Sequence, residues 1–129
     1  MDSTKKRDIY HCEICGNVTE VLYEGAVSLV CCGQPMTKLE AKTADQGQEK
    51  HVPVVTKDGE GIIVKVGEVE HPMTDEHYIA FIEVLTANKV GRAELAPGSK
   101  PEASFNIAID EVLSVREYCT IHSLWEKKL

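Results

Sequence analysis

The sequence of 129 residues contains no apolar run approaching the roughly 18–20 residues that cross a bilayer, which excludes a helical membrane anchor. Residues 1–10 are polar and charged and lack the apolar stretch of a secretion signal, so the expected setting is the cytoplasm. A basic excess is missing too. Lys and Arg number 14 against 21 Asp and Glu, a net charge of −7, the wrong sign for a chain that neutralises nucleic-acid phosphates. Aromatic residues make up 5% of the chain and form no aromatic–basic patch, so no nucleic-acid partner is expected. There is no internal repeat and no low-complexity segment. No helix of about ten residues or more reads from the pattern, apart from one or two possible turns in Asp110–Glu117. Hydrophobic residues are 43% and charged residues 27%, ordinary for a globular chain and incompatible with wholesale disorder.

What is present is unevenly placed. Four of the five cysteines, Cys12, Cys15, Cys31 and Cys32, fall in the first quarter, and Cys119 lies near the end. An odd count leaves one unpaired, and without a secretion signal thiols held as metal ligands are favoured over disulfides. Histidine runs the other way: after His11 come His51, His71, His77 and His122. The polar stretch 41–48, AKTADQGQ, lacks apolar periodicity and reads as a linker. The chain is thus expected to divide into a sulfur-rich head, 1–40, and a histidine-rich body, 41–129. A head of about 40 residues rarely folds without a staple, and a metal on four cysteines would supply one.

The body alternates with period two. Ile62, Val64 and Val66 lie on one parity, Phe105, Ile107 and Ile109 on another, and Tyr78 to Leu85 is rich in Ile, Val and aromatics. Glycines and prolines punctuate these runs, which predicts a mainly β fold, a sandwich or barrel of short strands.

Cys12-x2-Cys15 followed by Gly16 can wrap two thiolates round one ion, the glycine permitting the tight turn. Cys31 and Cys32 are adjacent, so their side chains diverge and the chain must bend to bring both to one ion. A distorted four-sulfur tetrahedron suits zinc or a single redox iron. Cys119-x2-His122 has opposite parity in a straight strand, so both reach one ion only if the chain turns between them. His71 and His77, with Pro72 between them, are brought together more easily by a loop than by a helix. His51 precedes Val52 and Pro53 and is expected in an extended segment. Imidazoles with one thiolate suit iron. They also suit copper in a cupredoxin-like site with a weak methionine, but Met1, Met36 and Met73 all precede His122.

Taken in order, Cys12-x2-Cys15 with Cys31-Cys32, Glu49-Lys50-His51-Val52-Pro53, His71-Pro72-Met73 with His77-Tyr78-Ile79, and Cys119-x2-His122 with Leu124-Trp125 resemble the desulfoferrodoxins, the two-centre superoxide reductases, along essentially the whole chain. The resemblance implies a small desulforedoxin-like head at 1–40, with iron on Cys12, Cys15, Cys31 and Cys32. It implies an immunoglobulin-like β-sandwich at 41–129, with a second, catalytic iron on His51, His71, His77 and His122 around the equator and Cys119 on the axis, and the sixth position open in the ferrous state. It further implies reduction of superoxide to hydrogen peroxide without oxygen production, a rubredoxin-type electron donor, a cytoplasmic setting and a homodimer. Lys50 would attract the anionic substrate in a chain of net charge −7 and could orient a proton-donating water. Glu49 would cap the sixth position after turnover, since hard oxygen suits ferric iron better than ferrous. Family members commonly have glycine after the last histidine, where this chain has Ser123, and many have tryptophan near Phe81. A two-centre electron carrier without its own substrate, and a zinc-ribbon interaction protein, are the competing readings.

Overall fold

The computed structural model describes residues 3–25, 28–44, 50–67 and 71–129, which carry twelve β-strands and one 3-10 turn. The chain separates into two compact units, Met1–Glu40 and Ala41–Leu129. Among the described residues no helix is long and apolar enough to cross a membrane.

The first unit is built from strands of two or three residues: β1 (Ile9–His11), β2 (Val18–Glu20), β3 (Val30–Cys31), β4 (Gln34–Pro35) and β5 (Thr37–Lys38). β1 lies between β2 and β5, and β3 pairs with β4 in a separate two-stranded sheet. Its buried apolar residues are Ile9, Tyr10, Cys12 and Val21. So small a core cannot offset the ordering of some forty residues unaided.

The second unit is an antiparallel sandwich. β6 (Pro53–Asp58), β7 (Gly61–Val66) and β10 (Glu102–Phe105) form one sheet in the order β10-β7-β6. β8 (Ile79–Leu85), β9 (Val90–Glu94), β11 (Ser114–Cys119) and β12 (Ser123–Lys128) form the other in the order β12-β11-β8-β9. Ile62, Val64 and Val66 of β7 pack with Ile79, Ile82 and Val84 of β8 and with Val115 and Cys119 of β11. The alternation read along β7 is therefore its inward face. In β8 the parity breaks: Tyr118 pairs with Phe81 but Cys119 pairs with Ile79, so Ala80 is an extra residue. This bulge turns both Ile79 and Ile82 inward at the end of the sheet where Cys119 lies.

Three expectations need correction. β10 stops at Phe105, and Ile109–Glu111 is a 3-10 turn, so the alternation through Ile107 and Ile109 does not continue a strand. The turns considered for Asp110–Glu117 reduce to that one turn; from Ser114 the chain is β11. The linker at 41–48 is only partly free of structure, because Lys42 forms a parallel bridge with Trp125 of β12. Residues 45–48 lie outside the described residues.

Candidate metal centres

In the head, β3 and β4 are joined by Cys32-Gly33, since Cys31 pairs with Gln34. Both loop residues have positive φ, 54° and 78°. That is the two-residue hairpin turn whose twist matches the flanking strands. It is also the bend that adjacent cysteines require. A cysteine there costs about 1 kcal/mol relative to glycine, which places a structural demand on Cys32. Gly16, with φ 87°, closes the Cys12–Cys15 loop, and its N–H donates to the Cys12 carbonyl at 2.9 Å.

The four sulfurs lie within 4.8 Å of one another. Cys15 Sγ is 3.6 Å from Cys31 Sγ, which is 3.9 Å from Cys32 Sγ. Disulfide sulfurs would be about 2.05 Å apart. A tetrahedron of ligands about 2.3 Å from its centre has edges of about 3.8 Å, so these spacings fit one ion.

Their protonation is uneven. The Cys12 sulfur accepts the Cys15 backbone N–H at 3.5 Å, and this contact, with help from the Ile14 N–H, pulls its thiol down to about 6. Cys32 is pushed up to about 12, chiefly by its hydrogen bond with Cys15 and then by that with Cys31. Cys31 is raised as well, mainly by Cys15. Near neutral pH Cys12 is therefore a thiolate and Cys31 and Cys32 are thiols. A metal must displace at least two protons, so affinity should climb about a hundredfold per pH unit, tenfold for each proton released. Zinc competition titrations of the head between pH 6 and 8 test this. A slope of tenfold or less would contradict it.

In the body, four imidazoles form a closed square. Ring centroids are 4.6 Å apart for His51 and His71, 4.9 Å for His71 and His77, 5.1 Å for His77 and His122, and 4.8 Å for His122 and His51, each pair edge to face. Cys119 Sγ lies 3.5 Å from His71 Nε2 and 3.8 Å from His122 Nδ1. Those two histidines occupy opposite corners, so the sulfur stands over the square rather than beside it.

Proton placement can be argued for His71. Its Nδ1 is 2.7 Å from the Pro72 carbonyl, which can only accept, so Nδ1 carries the proton and Nε2 bears a lone pair. That Nε2 is 3.0 Å from His51 Nε2. Adjacent donors about 2.1 Å from a common ion at right angles are about 3.0 Å apart, so the corner has the size of a metal site. His51, His71 and Cys119 are buried, and all five donor atoms lie within 4.8 Å of one another.

Each ligand is aimed by its local structure. Cys119 ends β11 and Ser123 begins β12, paired with it across a three-residue turn. The expected turn between Cys119 and His122 is thus present. Ser123 has φ 72°, the left-handed position that commonly closes such a loop and favours glycine. The serine is accommodated at some cost in strain. His71 and His77 lie in the loop before β8, as expected. Met73 packs against the core, and its sulfur accepts the Ile79 N–H at 3.4 Å. Thr120 ties the two ligand loops together: its N–H donates to the Tyr78 carbonyl at 3.0 Å, and its Oγ1 accepts the Tyr78 N–H at 3.2 Å.

Lys50 is half-buried beside His51 in the chain. Gly67, with φ 78°, sits so close that a Cβ there would collide with the Lys50 carbonyl. Glu49 lies outside the described residues. Phe81 stacks on Tyr118 with centroids 5.8 Å apart, a cross-strand aromatic pair away from the donor set. His11 pairs with Glu13 at 3.2 Å and belongs to neither centre. Reading residues one by one assigned no role to Trp125, whose ring stacks on His51 at 4.6 Å and 12°. It is the chain's one tryptophan, three positions after His122, and that was the available signal.

The comparisons agree with this geometry. The family model described as desulfoferrodoxin, N-terminal domain, matches residues 4–39, and that described as desulfoferrodoxin matches 43–128. A desulfoferrodoxin of Syntrophotalea carbinolica is 52% identical over 124 residues, 96% of this chain and 98% of its own. A desulfoferrodoxin homologue of Archaeoglobus fulgidus is 50% identical over 123 residues, 95% of this chain and 98% of its own. The crystal structure of a superoxide reductase from Treponema pallidum superposes with a TM-score of 0.77 at 30% identity, covering 97% of this chain and 100% of its own. With both domain models matched in chain order, and relatives aligned almost end to end, this chain belongs to the desulfoferrodoxin family.

Proposed function

We propose that the protein is a superoxide reductase with two iron ions per chain, one on Cys12, Cys15, Cys31 and Cys32 and one on His51, His71, His77, His122 and Cys119. The observation that supports this most directly is the square of imidazoles with a buried cysteine sulfur over it. Superoxide takes up one electron and two protons to become hydrogen peroxide, and no oxygen is formed. Iron held by these five donors would supply the electron and bind the anion directly. The imidazoles bind as neutral groups and leave the ion's positive charge available to an anionic substrate. Cys119, fully buried, would bring one negative charge to the donor set, where it would act with little screening. Residues 1–40 are assigned the desulforedoxin-like four-cysteine iron domain and residues 41–129 the superoxide reductase domain.

Lys50 is assigned the steering charge. Its neighbour His51 is a corner of the square, and Gly67 packs against its backbone. Against a net charge of −7, a local cation raises the encounter rate of a small anion. Replacing Lys50 with isoleucine should slow the bimolecular reaction about tenfold at low salt and flatten its dependence on ionic strength. An unchanged rate at low salt would remove the steering role. Glu49 is assigned as a carboxylate that would ligate the oxidised metal, since hard oxygen suits ferric iron.

The reducing equivalents come, on this reading, from a small rubredoxin-type protein, and the working form is a homodimer. The cytoplasm is the expected compartment, since all five cysteines are free thiols arranged as donors rather than disulfides. The deciding experiment counts iron in protein purified without added metal and then measures superoxide decay with peroxide and oxygen quantified together. Two irons per chain and one peroxide per superoxide consumed support the proposal. Half that peroxide, with oxygen evolved, would mean dismutation instead. Insensitivity of the second centre to azide would favour the two-centre electron carrier.

A further inference from the structure

We infer that Lys42 is a positioning residue for the four-histidine centre, acting through Trp125 and the His122 carbonyl. The inference rests on that donor set being a metal centre. Lys42 belongs to a polar stretch whose sequence shows no apolar pattern, yet its main chain is fixed on both sides of the peptide. Its N–H donates to the Leu124 carbonyl and its carbonyl accepts the Glu126 N–H, each at 2.9 Å. The backbone of an exposed lysine is thereby held against β12, which limits where its ammonium can reach.

Among the described residues the ammonium makes two contacts, and both lead to ligands. It lies 5.0 Å from the centroid of the Trp125 ring, within cation–π range of the indole. It also donates to the His122 carbonyl at 3.2 Å. Trp125 Nε1 donates to that same carbonyl at 3.0 Å, so the turn carrying His122 is anchored by two donors at one oxygen. The indole is 3% exposed and stacks on His51. The side chains are therefore layered: ammonium, indole, imidazole. Lys42 holds the indole against His51 and holds the peptide of His122. These are two adjacent corners of the square, contributed by segments more than seventy residues apart in sequence. Groups that fix ligand orientation in this way commonly change metal affinity by tenfold or more.

The test compares Lys42→Met, which keeps the aliphatic stem but removes charge and donors, with Lys42→Arg, which restores both. Iron-loaded protein is mixed with excess chelator, and release from each centre is followed by its own absorption. Lys42→Met should release iron from the four-histidine centre about three to ten times faster while the four-cysteine centre is unchanged. Near-ultraviolet circular dichroism from the single tryptophan should change in parallel, and Lys42→Arg should return both signals toward the unsubstituted values. Release within twofold of the unsubstituted protein overturns the inference. Equal acceleration at both centres overturns it too, because that would report general destabilisation. Failure of Lys42→Arg to recover either signal also counts against it. Unsubstituted protein with no metal on the four histidines would overturn the inference and the proposed function together. Protein that holds iron there but does not consume superoxide would overturn only the function.

Discussion

Replacing Cys119 with alanine should cut superoxide reduction by at least about 100-fold and empty or weaken one centre while leaving the other intact. The expectation follows from charge and burial. Cys119 is 0% exposed, and its sulfur is the one donor of the set that would bind a metal as an anion, since imidazoles bind as neutral groups. A dication held beside fully buried side chains is costly without an opposing charge. Removing the thiolate should therefore lower affinity more than the ten- to hundredfold typical of groups that only orient ligands. Serine should not substitute, because its hydroxyl does not ionise near neutral pH and is a harder donor. Iron per chain should fall from two toward one, with the thiolate absorption of the second centre lost and that of the head unchanged. A Cys119→Ala protein that keeps two irons and reacts within tenfold of the original rate would show that the sulfur is a packing group. Fold loss is not the expected cause of inactivity, since the change removes a single sulfur from a core that also includes Ile79, Val115 and Val66.

Much of this centre was legible before any coordinates. The opposite parity of Cys119 and His122 demanded a turn, and the turn closes at Ser123, in the left-handed conformation. The loop expected to bring His71 and His77 together is present, and Thr120 stitches it to that turn. The adjacent Cys31 and Cys32 demanded a bend, and the hairpin at Cys32-Gly33 is that bend. Which four histidines meet came from family resemblance and not from spacing, because loops of unconstrained length carry no geometric signal.

What escaped the residue-by-residue reading has physical causes. β11 was obscured because both of its faces are buried: Val115, Glu117 and Cys119 on one side, Ser114 and Arg116 on the other. A strand with neighbouring charges on opposite faces shows no apolar alternation, and Arg-Glu in sequence looks like a solvated surface. Ala80 was invisible for a related reason, since a bulge is a relation between two strands and leaves no mark on one. Lys42 escaped because its partners are a backbone and an indole more than eighty residues away.

The same buried charges set the second large expectation, a loss of about 3–5 kcal/mol in the stability of the body on replacing Glu83 with alanine. Glu83 is 0% exposed, in the middle of β8. Its two oxygens accept from Arg116 Nε at 2.6 Å and Arg92 Nε at 2.8 Å. The register explains the pairing: Arg92 on β9 and Arg116 on β11 lie directly opposite Glu83 on either side. Cross-strand neighbours of opposite charge are the sheet's natural ion pairs. Here the central carboxylate is shared between two guanidiniums. Arg92 is 40% exposed at its side chain and can turn to water when Glu83 is lost, but Arg116 is 9% exposed and cannot. The cost therefore comes mostly from a guanidinium that stays buried after losing the Glu83 carboxylate, more than from the attraction itself. Glu83→Gln, which keeps the shape and one acceptor, should lose less than Glu83→Ala. Replacing Glu83, Arg92 and Arg116 together with apolar residues of similar volume should lose less still, despite deleting three groups. Denaturant unfolding read from Trp125, which belongs to the body, would check the order. If the triple replacement proved worse than the single one, the attraction rather than the burial of the remaining charge would dominate. Iron on the four histidines should survive in the folded fraction of all three variants, because none of these side chains belongs to the donor set; the charge row stabilises the sheet that carries the ligands and does not itself hold the metal.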